Sequence, residues 1–193
     1  MSDLSLPFEV LPLVADRWHD LEILFEKYGA PGDCWCMWYR LPRKQFHKQS
    51  GLGNKNAMKA LVESGVVPGL IGYVDGKAAG WVSLSPREDF PQLEKSRVMK
   101  AIDEQPVWSI VCLFIDKAYR KQGISLRLLQ AAVDYAVKQG AKIIEGYPVD
   151  RKDGTCRDAD MFHGAQSIYE KAGFEEVARR SPTRTVMRYT VDV

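Results

Sequence analysis

The chain has 193 residues, 46% hydrophobic and 27% charged, which is enough for one sizeable core and short for two. Its 27 Lys and Arg against 25 Asp and Glu leave a net charge of +2, so the overall balance gives no ground for a nucleic-acid partner or a membrane surface. The four cysteines, Cys34, Cys36, Cys112 and Cys156, are too few and too irregularly placed for a disulfide framework. No apolar run reaches the ~20 residues that span a bilayer, and Met1-Ser2-Asp3-Leu4 lacks the basic-then-apolar pattern of a leader, so a reduced, cytoplasmic chain of one domain, residues 1–193, is expected.

Phe8 to Leu13 reads as a short first strand. Trp18, Leu21, Ile23, Leu24 and Phe25 then populate a helix, with Asp16 as its expected N-cap and Gly29 and Pro31 as its stop. Cys34-Trp35-Cys36-Met37-Trp38-Tyr39-Arg40 concentrates aromatic bulk between a Pro-Gly turn and Pro42. Two readings of it stay open together: a segment that buries apolar area against the core, and a wall of an acceptor pocket formed by Trp35 and Trp38. A metal site is not expected there, because Cys-x-Cys lacks the usual two-residue spacing and no second Cys or His pair follows nearby.

Ala57, Met58, Leu61 and Val62 predict a second helix over Asn54 to Ser64. Gly69 to Val74, Asp75-Gly76 and Lys77 to Leu84 form the clearest hairpin, because Asp-Gly favours the positive φ angles of a tight turn. A loop from Ser85 to Pro91 leads towards a short helix around Leu93 to Val98. Val107 to Ile115 is β-branched, aromatic and apolar on both faces, as a central strand covered on both sides would be. After Arg120 to Ser125, the positions Leu128, Leu129, Ala132, Val133 and Ala136 recur at helical spacing up to Gly140.

Ala141 to Pro148 is another buried strand, parallel to the central one because a helix joins them. A polar loop, Asp150 to Asp160, precedes a closing helix around Tyr169. Glu175 to Arg179 and Thr185 to Val191 then read as a final hairpin about Ser181-Pro182. The fold class is therefore α/β (α+β): a mixed sheet of six to seven strands with helices on both faces.

Gly123 stands where the central helix begins. A helix N-terminus offers unpaired N–H groups and the positive end of a dipole, and a glycine there lets a phosphate approach the backbone. Neither a Walker loop nor a three-glycine dinucleotide fingerprint is present. Arg120-x-x-Gly123-x-Ser125 resembles the acyl-CoA signature of the GNAT N-acetyltransferase superfamily, Gln/Arg-x-x-Gly-x-Gly/Ala, departing from it at Ser125. Downstream, Ile168-Tyr169-Glu170-Lys171-Ala172-Gly173-Phe174 resembles that family's closing helix and the start of the following strand, in the same order and spacing.

The resemblance covers about residues 70–190. It implies acetyl-CoA as cosubstrate, its pantetheine threaded between two splayed central strands. It also implies cofactor contacts from the backbone of Leu113, Phe114 and Ile115 and from Arg120, Lys121, Gln122, Gly123, Ile124 and Ser125. Tyr169 matches the tyrosine that protonates the leaving sulfur.

From the residues themselves, Glu145 is a candidate base, because a carboxylate inside an apolar strand is costly unless paired or functional. His163, which titrates near neutrality, is its rival. Cys112 reads as a small core hydrophobe, with an acyl-cysteine route as the alternative. The expected reaction is direct acetyl transfer to a small-molecule amine. A peptide acceptor, a catalytically silent acyl-CoA-binding module and a thiol or metal sensor on Cys34 and Cys36 stand as alternatives, and a homodimer is left open.

Overall fold

The structure is a computed structural model that describes residues 7–26, 33–150 and 162–191. Seven strands form one sheet in the order β1-β2-β3-β4-β5-β7-β6: β1 Phe8–Pro12, β2 Gly69–Val74, β3 Lys77–Pro86, β4 Trp108–Ile115, β5 Ile143–Gly146, β6 Glu175–Ser181 and β7 Arg184–Thr190. The helices are α1 Trp18–Glu26, α2 Arg43–Lys48, α3 Leu52–Glu63, α4 Ile124–Lys138 and α5 Gln166–Lys171. Among the described residues no helix is long and apolar enough to cross a membrane.

The expected central strand is β4, in the middle of the sheet. It pairs antiparallel with β3 and parallel with β5, the latter reached through α4. One face of the sheet is covered by α4, whose Ile124, Leu128, Leu129, Ala132, Val133 and Ala136 pack against Val82, Ile110, Leu113 and Ile115. The other face carries α1 and α3, through Leu21, Leu24, Phe25, Met58 and Val62 against Ile71, Tyr73 and Trp81. The β2–β3 turn is the predicted one, with Asp75 and Gly76 both at positive φ, 49° and 70°. The closing β6–β7 hairpin also forms where the sequence places it.

Three local expectations change. Asp16 does not cap α1: the chain enters through a single 3₁₀ turn, Ala15–Arg17, that contains Asp16 and has no side-chain cap. Its Arg17 instead donates to Pro12 O at 3.1 Å. Leu93 to Val98 is a series of turns, not a helix, because Phe90, Leu93 and Ser96 each bond back to the carbonyl three residues earlier. Ser96 Oγ then takes the N–H groups of Val98 and Met99, diverting donors that a helix would use. Helix α2, absent from the sequence reading, begins directly after Pro42 and buries only Phe46, too short a stretch to show a period. Gly29 and Pro31, and the polar loop beyond Asp150, lie outside the described residues.

Candidate active site

The site begins where β4 and β5 part. Their pairing covers only Trp108–Ile144, Ser109–Glu145 and Ile110–Gly146. Two features of the chain open the gap. The β3–β4 register shifts between Ser83 and Leu84, a bulge that adds local twist to β4. On the other side β5 ends before Pro148, which has no N–H to give a ladder, and Val149 pairs instead with Ala165 and Arg184. Leu113, Phe114 and Ile115 therefore continue past the last β5 pair, held from one side by Val82, Trp81 and Gly80 of β3.

At the far end of β4 the chain makes a 3₁₀ turn, Lys117–Tyr119, and reaches Gly123, the N-cap of α4, in the left-handed region at φ 76°. A Cβ added to Gly123 would meet nothing within 4 Å, so the ground in front of the helix is open. Intrahelical bonding starts with the N–H groups of Leu126 and Arg127, both on Gly123 O, which leaves the preceding N–H groups directed out of the helix end. Arg120 Nε donates to Ile115 O at 3.2 Å and Gln122 Nε2 to Ala118 O at 3.2 Å, bracing the turn. Lys121, also at positive φ, is exposed, Ser125 is half-buried and Ile124 is anchored in the core. An open helix N-terminus preceded by Arg120 and Lys121 fits a pyrophosphate.

Tyr169 stands at the gap itself. Its ring lies against the end of β5: a Cβ at Gly146 would fall 2.0 Å from Tyr169 Cε1, so only glycine admits the phenol there. Phe174 meets the ring edge-on at 5.1 Å. The residue is fully buried and its hydroxyl has no hydrogen-bond partner among the described residues. Burial, with the nearby Cys112, pushes the phenol far above its ordinary value, against the opposing pull of Arg184, so it keeps its proton.

Glu145 is placed differently from the expectation of a base. It sits 1% exposed in the part of β5 that still pairs with β4, opposite Ser109. Arg188 Nε holds Oε1 at 2.8 Å; Arg87 Nη1, at 3.4 Å, and the Tyr147 hydroxyl, at 2.9 Å, hold Oε2. Each arginine goes on to a second carboxylate, Arg188 to Asp103 and Arg87 to Glu94. The two basic partners explain how the carboxylate is tolerated in the core, and they occupy both of its oxygens.

The aromatic segment divides between its two readings. Trp35 is only 5% exposed, stacked on Trp18 at 6.1 Å and edge-on to Phe25 at 5.4 Å, so it belongs to the core beneath α1 and lines no open wall. Trp38 is half-buried, with the Arg43 guanidinium 3.4 Å above its ring and Phe46 edge-on at 5.0 Å. The cysteines converge as well: Cys36 is buried, takes the Trp81 indole N–H at 2.9 Å and contacts both Cys34 and Cys112. Mutual contact and burial push the Cys34 thiol upward, the opposite of what a metal thiolate needs. Among the described residues no group of His, Cys, Asp and Glu could hold a metal.

Two participants were not legible beforehand. The Tyr39 hydroxyl meets His163 Nε2 at 2.9 Å across 124 positions of chain, and Arg184 of β7 acts electrostatically on Tyr39, His163 and Tyr169 together. No local spacing connects these residues.

Residues 35–174 match the Acetyltransferase (GNAT) family. No curated protein matches the sequence significantly. Among solved structures, a GNAT-family acetyltransferase from Listeria monocytogenes superposes with a TM-score of 0.60 at 10% identity, covering 99% of each chain. The PaiA N-acetyltransferase of Thermoplasma acidophilum, in complex with coenzyme A, gives 0.55 at 14% identity over 96% of this chain and 100% of that one. The aminoglycoside N-acetyltransferase AAC(6')-Iy, in complex with CoA, gives 0.56 at 14% identity over 93% and 95%. These likenesses establish the fold, and the family match spans most of the chain, from the aromatic segment through the split strands and the open helix end to Phe174: the protein belongs to the GNAT acetyltransferase family.

Proposed function

We propose that the protein transfers an acetyl group from acetyl-CoA directly to the amine of a small molecule. The observation that carries this reading is the buried phenol of Tyr169 at the gap between β4 and β5, without a hydrogen-bond partner among the described residues. Leaving such a donor unmet costs about 1–3 kcal/mol, which a substrate atom entering the gap would recover. The helix end at Gly123, with Arg120, Lys121, Gln122, Ile124 and Ser125 around it, would hold the pyrophosphate. The edge of β4 beyond its last pair with β5, at Leu113, Phe114 and Ile115, would take the pantetheine and the thioester carbonyl.

Bound acetyl-CoA supplies an activated thioester. The amine nitrogen forms the new bond to the acetyl carbon, the carbon–sulfur bond breaks, Tyr169 donates its proton to the departing sulfur, and the proton shed by the amine passes through solvent to return Tyr169 to its neutral form. Glu145 we assign to the frame: with both oxygens engaged, it holds β5 to Arg87 and Arg188 and takes no proton from the amine. Trp38, and not Trp35, is the aromatic residue of the segment left to face an acceptor. A small amine as acceptor is supported by the fold shared with a protein named for aminoglycosides.

An amine panel assayed for release of free CoA tests the reading. Turnover with small amines and none with peptides is expected. Turnover confined to peptide amines would replace the acceptor class, and cofactor binding without turnover of any amine would favour the silent binding module.

A further inference from the structure

His163 is a buried titratable group that the reaction above leaves unused. It is 1% exposed, and its Nδ1 has no hydrogen-bond partner among the described residues. Its neighbourhood is the split: Tyr39 and Phe162 pack with Val111 of β4 and Val186 of β7, and the next residue, Gly164, lies against Leu113 and the Tyr169 ring. Tyr169 belongs to the cluster on the α4 face, whereas Tyr39 shares Trp38 with the α1 side. The phenol and the imidazole thus approach the gap from opposite faces.

The protonation of His163 follows from its partners. The Trp38 indole N–H, a donor only, acts on the Tyr39 oxygen, as the weakest of the influences on that phenol. Tyr39, which burial pushes up to about 12, keeps its own proton, and His163 Nε2 is there to receive it at 2.9 Å. With a donor-only group on the side of that oxygen, we assign the 2.9 Å contact as Tyr39 O–H donating to Nε2. Complete burial, and secondarily the Arg184 cation, hold the imidazole well below its ordinary value, so it is neutral. A neutral imidazole that accepts at Nε2 carries its single proton on Nδ1, the atom without a partner among the described residues.

We propose that His163 is a preset hydrogen-bond donor, oriented by Trp38 and Tyr39, whose Nδ1–H binds a substrate oxygen bearing negative charge at the β4–β5 gap. Two sources share that chemistry: the acetyl carbonyl oxygen, which gains charge as the amine attacks, and a carboxylate on the acceptor beside its amine. Arg184 reinforces either one. The second half of this proposal rests on the acyl-transfer reading, whereas the tautomer does not.

Nitrogen-15 NMR of the histidine in the free protein reads the tautomer independently of any activity. Protonation at Nδ1 alone is expected at neutral pH, and an imidazolium or an Nε2–H tautomer would overturn the proposal even if acetyl transfer is confirmed. Kinetics with a matched pair, an α-amino acid and its carboxamide, then separate the sources. His163→Gln reaches the Nε2 position but leaves no donor near Nδ1, and a loss of roughly 10- to 100-fold is expected. The loss falls in kcat for both amines if the donor serves the acetyl oxygen, and in KM for the amino acid alone if it serves a carboxylate. His163→Asn, whose amide N–H lies near the Nδ1 position, should restore much of the activity that His163→Gln loses. Unchanged kcat and KM in folded His163→Gln sinks the role. If no amine is turned over, a shift of the Nδ1–H signal on adding acetyl-CoA or the amino acid supports the donor, and no shift with either rejects it.

Discussion

At the scale of single residues, Tyr169 and Glu145 are both buried polar groups, and their partners separate them. The Tyr169 hydroxyl has no partner among the described residues to lose, so Tyr169→Phe should leave the melting temperature unchanged or slightly raised. The same substitution removes the proposed proton donor and should lower single-turnover acetyl transfer by roughly 10²- to 10⁴-fold, with acetyl-CoA affinity nearly intact. A wild-type rate in folded Tyr169→Phe would assign the proton to another group. Glu145→Gln should do the reverse. It weakens the hold on two largely buried guanidinium groups, at a cost below the ~3–5 kcal/mol of breaking a buried ion pair, because Asp103 and Glu94 still hold them. The rate per folded molecule should stay at the wild-type level, and a large drop in kcat without loss of stability would return Glu145 to the role of base.

At the scale of elements, the turn into α4 carries the cofactor reading. An aspartate at an N-cap is favourable to a helix, and aspartate tolerates left-handed backbone better than most residues. Nothing stands within 4 Å of the position where its Cβ would go. Gly123→Asp should therefore still fold, at a cost of about 1–2 kcal/mol for the left-handed backbone at φ 76°. Its carboxylate would face the pyrophosphate from the place where backbone donors should be, so the thermal stabilisation that acetyl-CoA gives the wild type should be strongly reduced. Full stabilisation of folded Gly123→Asp by acetyl-CoA would move the anion site elsewhere. The β4–β5 gap belongs to this scale as well, since a bulge on one strand and a proline just beyond the other produce it without any side chain acting as a wedge.

At the scale of the whole molecule, the closed end of the sheet is held by charge that joins distant segments, Asp103 before β4, Glu145 on β5 and Arg188 on β7. Arg188 holds the Asp103 carboxyl down at about 2 from its ordinary 3.8. A depressed carboxyl stabilises the fold above its unfolded value, and that contribution is lost as pH falls through the folded one. The difference in melting temperature between wild type and Asp103→Asn should therefore be constant above about pH 4 and shrink towards pH 2. His163 acts in the same direction over a higher window. Its depressed imidazole withdraws stability as pH falls below 6.5, and this slope should be absent from His163→Gln. A pH series of thermal melts on the three proteins measures both, and a Tm difference that grows on acidification would contradict the assignment.

What the sequence by itself determined was what local periodicity and turn chemistry encode. The Asp75-Gly76 hairpin, the doubly covered β4, the Gly123 start of α4 and the parallel return to β5 are each written in a short window, because one residue's φ or one face's apolar spacing suffices to specify them. Tertiary structure alone decided which buried polar groups meet. Glu145 looked like a base because a lone carboxylate in an apolar run has no visible partner; its arginines arrive from 58 and 43 positions away. Trp35 and Trp38 looked alike as aromatic neighbours, yet one lies under α1 and the other beneath Arg43, since a segment without regular structure has no period to say which side chain turns inward. His163 and Tyr39, 124 positions apart, share a hydrogen bond only because Phe162 and His163, just before α5, and the segment before α2 come together beside β4. A hydrogen bond is specified by two positions in space, and the chain writes only one of them at a time.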